Sequence, residues 1–537
     1  MPIGEIFKYV DGALISFFCL SGLLFIILSL NLKTDKKAYF LVILFVALLM
    51  LFGGKLHPCQ QDRTAEMDGY VEKADQIVAG QIPCDPFHPL LYPILSSGAG
   101  VLLHDTFAGA RLVSTVFAGI FVLLTYLIGR QLFNEKVGLF ALLAMILNYD
   151  VITNGLFTSS DMTFSALVLL AVFFCMRLNS RIKLSRVILL AFSFALAYFT
   201  RYLALSLIPM ILFAFSFPST ATLNKTKVMF LAVFSIIVVL ILLPHFYLTA
   251  HVFGTLFYNE NWKNLALKIY GNGDFSYYKR IPFNGWAAVI FSSPFKIIIL
   301  FFREVWDFIA RGALWEIYGF GFLFLFSAYR MFFVLNQKRV IVLLFIFSYI
   351  VLVCLSFYAR PRLLLPILPL SYLIVFSFIF NNLPGIFRFK NLKVKYSTLI
   401  FIGFILWSAI NTARLLPGFV GNHPLKEIEA ALILQQKHGA DLSVIGTNTY
   451  LQHYVRYRYY FDGGIGSEFK NPQNYYRWLQ LLISEKHADY LIVGRLSLWD
   501  RPEALLSIHE VPFFLKPVFE NKDVVIYKTE IVSGRLK

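Results

Sequence analysis

The chain has 537 residues, of which 58% are hydrophobic, 17% aromatic and only 15% charged, with a mean hydropathy of +0.68. Soluble domains hold about 45–50% apolar and roughly a quarter charged residues, so an ordinary soluble enzyme, a disordered chain and a disulfide scaffold are excluded and a polytopic membrane protein remains. The net charge of +17, from 48 Lys and Arg against 31 Asp and Glu, would point to nucleic acid in a soluble protein; in a membrane chain it must first be located.

About 20 apolar residues of helix cross a bilayer core of roughly 30 Å. Such runs recur at 12–31, 38–56, 107–129, 137–156, 161–177, 187–200, 203–217, 228–248, 313–335, 339–358, 363–380 and 397–414, about twelve spans in all. The first lacks a basic leader and a small-residue cleavage site, and reads as a retained span. The run 283–309 is broken by Pro294, Lys296, Arg303, Glu304 and Asp307, which predicts an interfacial amphipathic segment.

Six alternate loops hold 18 basic residues, among them Lys36, Arg130, Arg186, Lys225, Arg339 and Arg388, against two acidic ones, Asp35 and Glu135. Positive charge stays cytoplasmic, so these loops face inward. The loops 57–106 and 249–312 and everything after 415 then lie outside. Nearly all of the net charge is a topology signal, and none is left to suggest nucleic acid.

From about 425 the composition changes. A helix-like stretch from Pro424 to Lys437 and short β-rich runs at Leu442–Gly446, Tyr490–Val493 and Val524–Lys528 predict a small extracytoplasmic α/β domain over 421–537. Residues 1–420 form the transmembrane domain. The Gly463-Gly464-Ile465-Gly466 stretch reads as a turn, since no clear strand feeds it. Cys59 and Cys84 share the first outer loop, where an oxidising compartment permits either a disulfide or two packed thiols.

Candidate chemistry gathers at the predicted outer membrane boundary. Glu66 and Asp68 follow the second span, His88 lies in a Pro-rich stretch of the same loop, and Asp161 opens the fifth span. A partly desolvated carboxylate there can act as a general base; taken alone, Asp161 reads more readily as a helix cap. Arg201, Arg360 and Arg362 sit at outer ends of other spans. Arginine forks suit a lipid-borne phosphate, although generic snorkelling to the headgroups also accounts for them.

In order along the chain come Glu66-Met67-Asp68 followed by Gly69-Tyr70, then Ala74 and Gly80, and His88-Pro89-Leu90-Leu91-Tyr92-Pro93. Ala110-Arg111-Leu112, Gly129 to Phe133, Thr158 to Asp161, and Arg360 to Pro369 follow. This series resembles the GT-C glycosyltransferases, specifically the dolichyl-phosphate-mannose-protein mannosyltransferase-like enzymes (glycosyltransferase family 39) and their bacterial relatives, including the lipid A aminoarabinose transferase. The likeness covers roughly 38–420. Two features depart from the family pattern: one additional span precedes the acidic loop, and the acidic pair is spaced as Glu-x-Asp instead of adjacent.

The resemblance implies transfer of a single sugar from a polyprenyl-phosphate carrier to a lipid, protein or glycan acceptor outside the cytoplasm, with inversion, in a bacterial inner membrane. A phosphate leaving group needs cations more than a strong acid. That role falls to Arg201, Arg360, Arg362 and His88, with Asp68 as the base and Glu66 and Asp161 orienting the acceptor or the base. Tyr70 and Tyr92 are expected to touch acceptor or sugar. Mg2+ or Mn2+ held by Glu66, Asp68 and Asp161 is an open alternative. Competing readings are a lipid-linked glycan ligase or polymerase and a transporter or flippase. A transporter predicts midplane charges and internal repeats, and the sequence has no visible repeat.

Overall fold

The computed structural model describes residues 34–61, 68–178, 183–216, 225–271, 281–308, 310, 321–333, 336–356, 361–382, 386–389, 392–420, 423–446, 450–461, 472–494, 512–521 and 524–530. The first expected span, Glu66, Arg360 and the 463–466 glycines lie outside them.

The transmembrane part begins with α1 (Thr34–Leu56), followed by α2 (Tyr70–Val78), α3 (Leu91–Leu103), α4 (Thr106–Leu132), α5 (Glu135–Ile146) and α6 (Tyr149–Asn154). Next come α7 (Ser160–Arg177), α8 (Leu184–Thr200), a 3-10 turn (Tyr202–Leu207), α9 (Ile208–Ser216) and α10 (Lys225–Phe253). Then follow α11 (Trp262–Tyr270), α12 (Trp286–Ser292), α13 (Pro294–Asp307), α14 (Gly321–Phe333), α15 (Gln337–Ser356), α16 (Pro361–Leu364) and α17 (Leu368–Asn382). A hairpin of β1 (Ile386–Phe389) and β2 (Leu392–Lys395) leads into α18 (Tyr396–Val420).

Among the described residues six helices, α1, α4, α7, α10, α15 and α18, are long and apolar enough to span a membrane, with five shorter apolar helices beside them. The protein is a multi-pass membrane protein. α7 is its central post: 83% of its apolar stretch is buried inside the protein, against 11% for α10, whose side chains instead suit lipid. The run expected at 137–156 is two helices, because Asn148 interrupts it and accepts the N–H groups of Asp150 and Val151 to cap α6. The interrupted run 283–309 is the pair α12 and α13, bent by 94° where Ser293 and Pro294 break the helix. Phe291, Phe295, Ile299, Phe302 and Trp306 are exposed along it, as an interfacial segment requires.

The 57–106 loop contains α3, a helix the sequence reading did not anticipate. It lies against α4 at a close backbone crossing, since a Cβ on Gly109 would sit 2.7 Å from Gly100 Cα. The basic loops converge on the opposite end: Arg130 pairs with Asp35, and Lys338 reaches the Gln131 carbonyl at 3.4 Å.

The C-terminal part comprises α19 (Leu425–His438), β3 (Ser443–Gly446), α20 (Leu451–Tyr454), β4 (Arg458–Phe461), α21 (Pro472–Lys486), β5 (Tyr490–Gly494), β6 (Leu515–Glu520) and β7 (Val524–Thr529). Its sheet runs β4-β3-β5-β7-β6, parallel among β4, β3 and β5 and antiparallel from β5 to β7 and β6. This part docks on the acidic-loop end of the bundle. The Gln60 N–H donates to the Tyr454 hydroxyl at 2.9 Å, and the His423 ring meets the Leu56 carbonyl at 2.8 Å.

Cys59 and Cys84 are not joined to each other in a disulfide, so of the two arrangements open to them the structure has the two separate thiols. Cys59 is buried among Ile428, Leu434 and Tyr457 of the α/β part, whereas Cys84 stays on a half-buried loop beside Asp85. The α/β core claims the first sulfur and leaves the second outside.

Candidate active site

Asp68 is held at the mouth of α2 by a backbone reversal. Gly69 has φ +66°, the left-handed region a side chain disfavours, and from it α2 starts at once. Lys73, one turn further on, folds back so that its ammonium donates to the Asp68 carbonyl at 2.6 Å and pairs with Asp85.

Asp85 begins an Asx-type turn. One of its oxygens accepts the backbone N–H groups of Phe87 (2.7 Å) and His88 (3.2 Å). The other faces the His88 Nδ1 at 3.2 Å, which aims Nε2 at the Asp68 carboxylate 3.7 Å away. Burial pushes the Asp85 carboxyl up, but the hydrogen bond and charge of His88 and the charge of Lys73 hold it well below the usual carboxylate range. Asp85 therefore stays ionised and fixes the imidazole, a recurring use of a carboxylate beside histidine.

From the bundle side, Asp161 occupies the first turn of α7 and is 2% exposed. Ser159 takes the cap position, and its hydroxyl donates to Asp161 at 3.1 Å. Asp161 is thus free of capping duty and pairs with Arg201 at 2.9 Å. Arg201 is 8% exposed at the end of α8, and its Nε donates to the Ser160 hydroxyl at 2.7 Å. That hydroxyl lies 2.7 Å from the Tyr70 phenol, so α2, α7 and α8 are joined through one serine.

Arg362, on the short α16, bridges the two halves: its Nη1 is 3.5 Å from Asp68 Oδ2 and 3.7 Å from Asp161 Oδ2. Two carboxylates from distant parts of the sequence share one guanidinium. Burial works to raise the Asp68 carboxyl, yet the charges of His88, Arg362, Arg201 and Lys73 outweigh it and hold it below its ordinary value.

Four atoms of this cluster are buried and make no hydrogen bond among the described residues: Arg201 Nη2, Arg362 Nε and Nη1, and Asp68 Oδ2. An unmatched buried polar atom costs about 1–3 kcal/mol. Arg362 Nη1 and Asp68 Oδ2 face each other as an ion pair at 3.5 Å, which leaves Arg201 Nη2 and Arg362 Nε as the buried cationic donors that a group with acceptor oxygens would satisfy.

Residues 87–247 match the family model described as dolichyl-phosphate-mannose-protein mannosyltransferase. ArnT from Cupriavidus metallidurans in the apo state superposes with a TM-score of 0.58 at 13% identity, covering 92% of this chain and 99% of that one. The same protein bound to undecaprenyl phosphate gives 0.56 at 13% identity with the same coverage. The Archaeoglobus fulgidus oligosaccharyltransferase in its apo form gives 0.54 at 13% identity, covering 86% of this chain and 72% of that one. No curated protein matches at the level of sequence.

The chain has the GT-C glycosyltransferase fold.

Five of the residues singled out from sequence, Asp68, His88, Asp161, Arg201 and Arg362, meet at one site. Glu66 and Arg360 lie outside the described residues. Tyr70 reaches the site as a strut: it is fully buried, its hydroxyl lies on Ser160, and its ring stands edge-on to His88 at 5.5 Å between centroids. Tyr92 is buried too, and its hydroxyl meets the Ala110 carbonyl and Ser114, both at 2.9 Å, so its place is in the packing beneath α2. Lys73 and Asp85 were missed. The only local signal was the Asp85-Pro86 dipeptide, a turn initiator. Among the described residues no three His, Cys, Asp or Glu side chains are arranged to hold a metal, and Arg362 occupies the gap between Asp68 and Asp161.

Glu72, also on α2, supplies a test of the local electrostatics. Both its carboxylate oxygens are buried with no partner side chain among the described residues, and burial pushes it up to about 7, with its own backbone N–H and the charges of His453 and Lys73 only partly offsetting. In the unfolded chain the same group ionises near 4.5. Its contribution is fully favourable below that value and is lost as pH rises through about 7, a penalty on the order of 3 kcal/mol. Glu72→Gln should therefore be more stable than wild type at about pH 8 and equal to it at about pH 4.5, read as thermal unfolding in lipid nanodiscs. Parallel curves for the two proteins would place the carboxylate in water.

Proposed function

We propose that this chain is an integral-membrane glycosyltransferase that moves one sugar from a polyprenyl-phosphate carrier to an acceptor hydroxyl on the outer face of a bacterial inner membrane. The observation that carries this reading is the pair of buried guanidinium donors, Arg201 Nη2 and Arg362 Nε, that make no hydrogen bond among the described residues, in a cluster where Arg362 faces the Asp68 carboxylate at 3.5 Å.

The acceptor oxygen attacks the anomeric carbon and its proton passes to Asp68. The bond from that carbon to the phosphate oxygen breaks, and the electron pair leaves with the polyprenyl phosphate. Its new charge falls to Arg362 and Arg201, whose donors are already in place and need no reorganisation. His88 and Lys73, held by Asp85, border the same space. A single displacement with one base inverts the anomeric centre.

The low proton affinity of Asp68 fits this sequence of events. While Arg362 faces Asp68 the carboxylate is a weak base. A bound phosphate competes for the guanidinium, and Asp68 becomes more basic once the donor is seated. Asp161 keeps Arg201 ionised and oriented throughout.

Support for a lipid-phosphate donor comes from relatives of the same fold: one solved structure of ArnT is bound to undecaprenyl phosphate, and the archaeal oligosaccharyltransferase AglB is in complex with a dolichol-phosphate. The likeness to the oligosaccharyltransferase also favours a second reading, transfer of a whole glycan. The lipid product separates the two. With labelled polyprenyl-phosphate hexoses and pentoses, and membrane extract as acceptor source, the purified protein should release polyprenyl monophosphate in step with label transfer. Transfer solely from a glycan-bearing polyprenyl pyrophosphate, with polyprenyl pyrophosphate released, would instead establish the ligase.

A further inference from the structure

Among the described residues the α/β part meets the acidic-loop end of the bundle at a charged contact. His453, on α20, places Nδ1 3.0 Å from Asp75 Oδ2, and these residues are 378 positions apart in sequence. The other Asp75 oxygen accepts the Thr106 hydroxyl at 2.5 Å, from the first residue of α4. Asp75 is thus the knot between α2, α4 and the α/β part.

Beside it, Tyr454 receives the Gln60 N–H at 2.9 Å. The His453 ring lies 6.3 Å from that of Phe107. Phe107 in turn belongs to the hydrophobic cluster that joins Tyr70 and Val71 of α2 to Tyr92, Ala110 and Val113.

We propose that His453 is a positioning residue for the transfer reaction: through Asp75 it fixes the orientation of α2, and so the α/β part sets the placement of Asp68. This rests on the reading of Asp68 given above.

The path is short and stiff. α2 has nine residues, and at about 1.5 Å per residue Asp75 lies about 9 Å along it from Gly69. α2 has no side-chain cap at its start, and its C-terminal end is exposed from Val78 onward. Its far end is therefore held by the Asp75 contacts. A tilt of the helix moves Lys73, which grips both the Asp68 carbonyl and the Asp85 carboxylate that orients His88. One displaced helix disturbs the base and the histidine together. Misplacement of reacting groups by about 1 Å costs on the order of 100-fold in rate.

The charged groups acting on His453 besides Asp75 are Glu72 on the same helix as Asp75 and Asp105 at the start of α4. Burial pushes the His453 imidazole down, but the hydrogen bond and charge of Asp75, with the charges of Glu72 and Asp105, outweigh it and hold it above its usual value. The pair keeps its ionic character to higher pH than a free histidine allows.

Three proteins test this: wild type, His453→Ala and His453→Asn, the last retaining a donor close to the Nδ1 position. His453→Ala should lower kcat for sugar transfer by about tenfold or more, with KM for the polyprenyl-phosphate sugar within about threefold of wild type. His453→Asn should recover most of that loss. Hydrogen exchange over residues 70–78, which needs no substrate, should accelerate in the alanine variant and return towards wild type in the asparagine variant. An unchanged kcat and unchanged α2 exchange in His453→Ala overturn the proposal. So does equal damage in both variants with exchange accelerated throughout the α/β part, since that marks a purely structural role. If wild type itself transfers no sugar from a polyprenyl phosphate, the reading of Asp68 fails, while exchange over α2 still decides whether His453 holds that helix.

Discussion

Asp68→Asn should reduce sugar transfer by about 10²–10⁴, the usual cost of deleting a general base, while leaving the fold intact. The substitution keeps the shape of the side chain and removes its charge and basicity. Arg362 loses one of its two carboxylates but keeps Asp161 3.7 Å away, so no guanidinium is stranded. Donor binding should tighten or stay unchanged, because Asp68 no longer competes with the incoming phosphate for Arg362. The measurement is a transfer rate at saturating donor, paired with thermal unfolding. A rate within about threefold of wild type would move the base elsewhere and leave Asp68 as a counter-ion.

Removing Asp161 should produce the largest loss of stability. It is almost fully buried at the start of the most enclosed span, and it neutralises a guanidinium that is itself buried. Breaking such a pair from one side costs about 3–5 kcal/mol, because the surviving charge has neither water nor a partner. Asp161→Ala should therefore show a much lower unfolding midpoint and poor yield. Replacing both partners, as Asp161→Leu with Arg201→Met, should recover most of the stability, since volume is kept and no charge is left alone. Transfer should stay abolished in the double variant, because the phosphate has lost Arg201. An active double variant would show that the pair serves the fold alone. A single variant as stable as wild type would show that Arg201 finds another partner.

The contrast between Asp161 and Asp85 shows what could be read from the sequence and what could not. A lone acid or arginine at the edge of a long apolar run is conspicuous, because the bilayer makes an unpaired charge expensive there. Asp161, Arg201 and Arg362 were visible for that reason, although their mutual contacts were not. Lys73 and Asp85 are ordinary charges in a polar loop. Only the left-handed turn at Gly69 and the Asx turn at Asp85 bring them against Asp68, and neither turn has a strong one-dimensional signature. Segment ends were harder than segment existence. Asn148 splits one expected span, and Pro93 with several small residues hid α3.

Contacts between the bundle and the α/β part lay furthest from view. Cys59 sits in a core completed by residues nearly 370 positions later, and Asp75 meets His453 across 378. No local periodicity encodes such pairings. The strands show the same limit: β3, β5 and β7 lie inside the sheet and read as apolar runs, whereas β4 and β6 lie at its edges. Most of β6 faces solvent. An edge strand that buries little leaves no run of apolar residues to find.

The central claim is that the Arg201–Arg362–Asp68 cluster receives a sugar carried on a single lipid-linked phosphate. The Asp68→Asn protein, purified from native membranes and examined by native mass spectrometry, tests it most directly, because a variant that binds donor without turning it over retains the lipid. The account predicts one bound polyprenyl monophosphate bearing a single sugar, lost when Arg362 is also changed to Ala. A retained polyprenyl pyrophosphate bearing an oligosaccharide, or the same lipid content with and without Arg362, would contradict it.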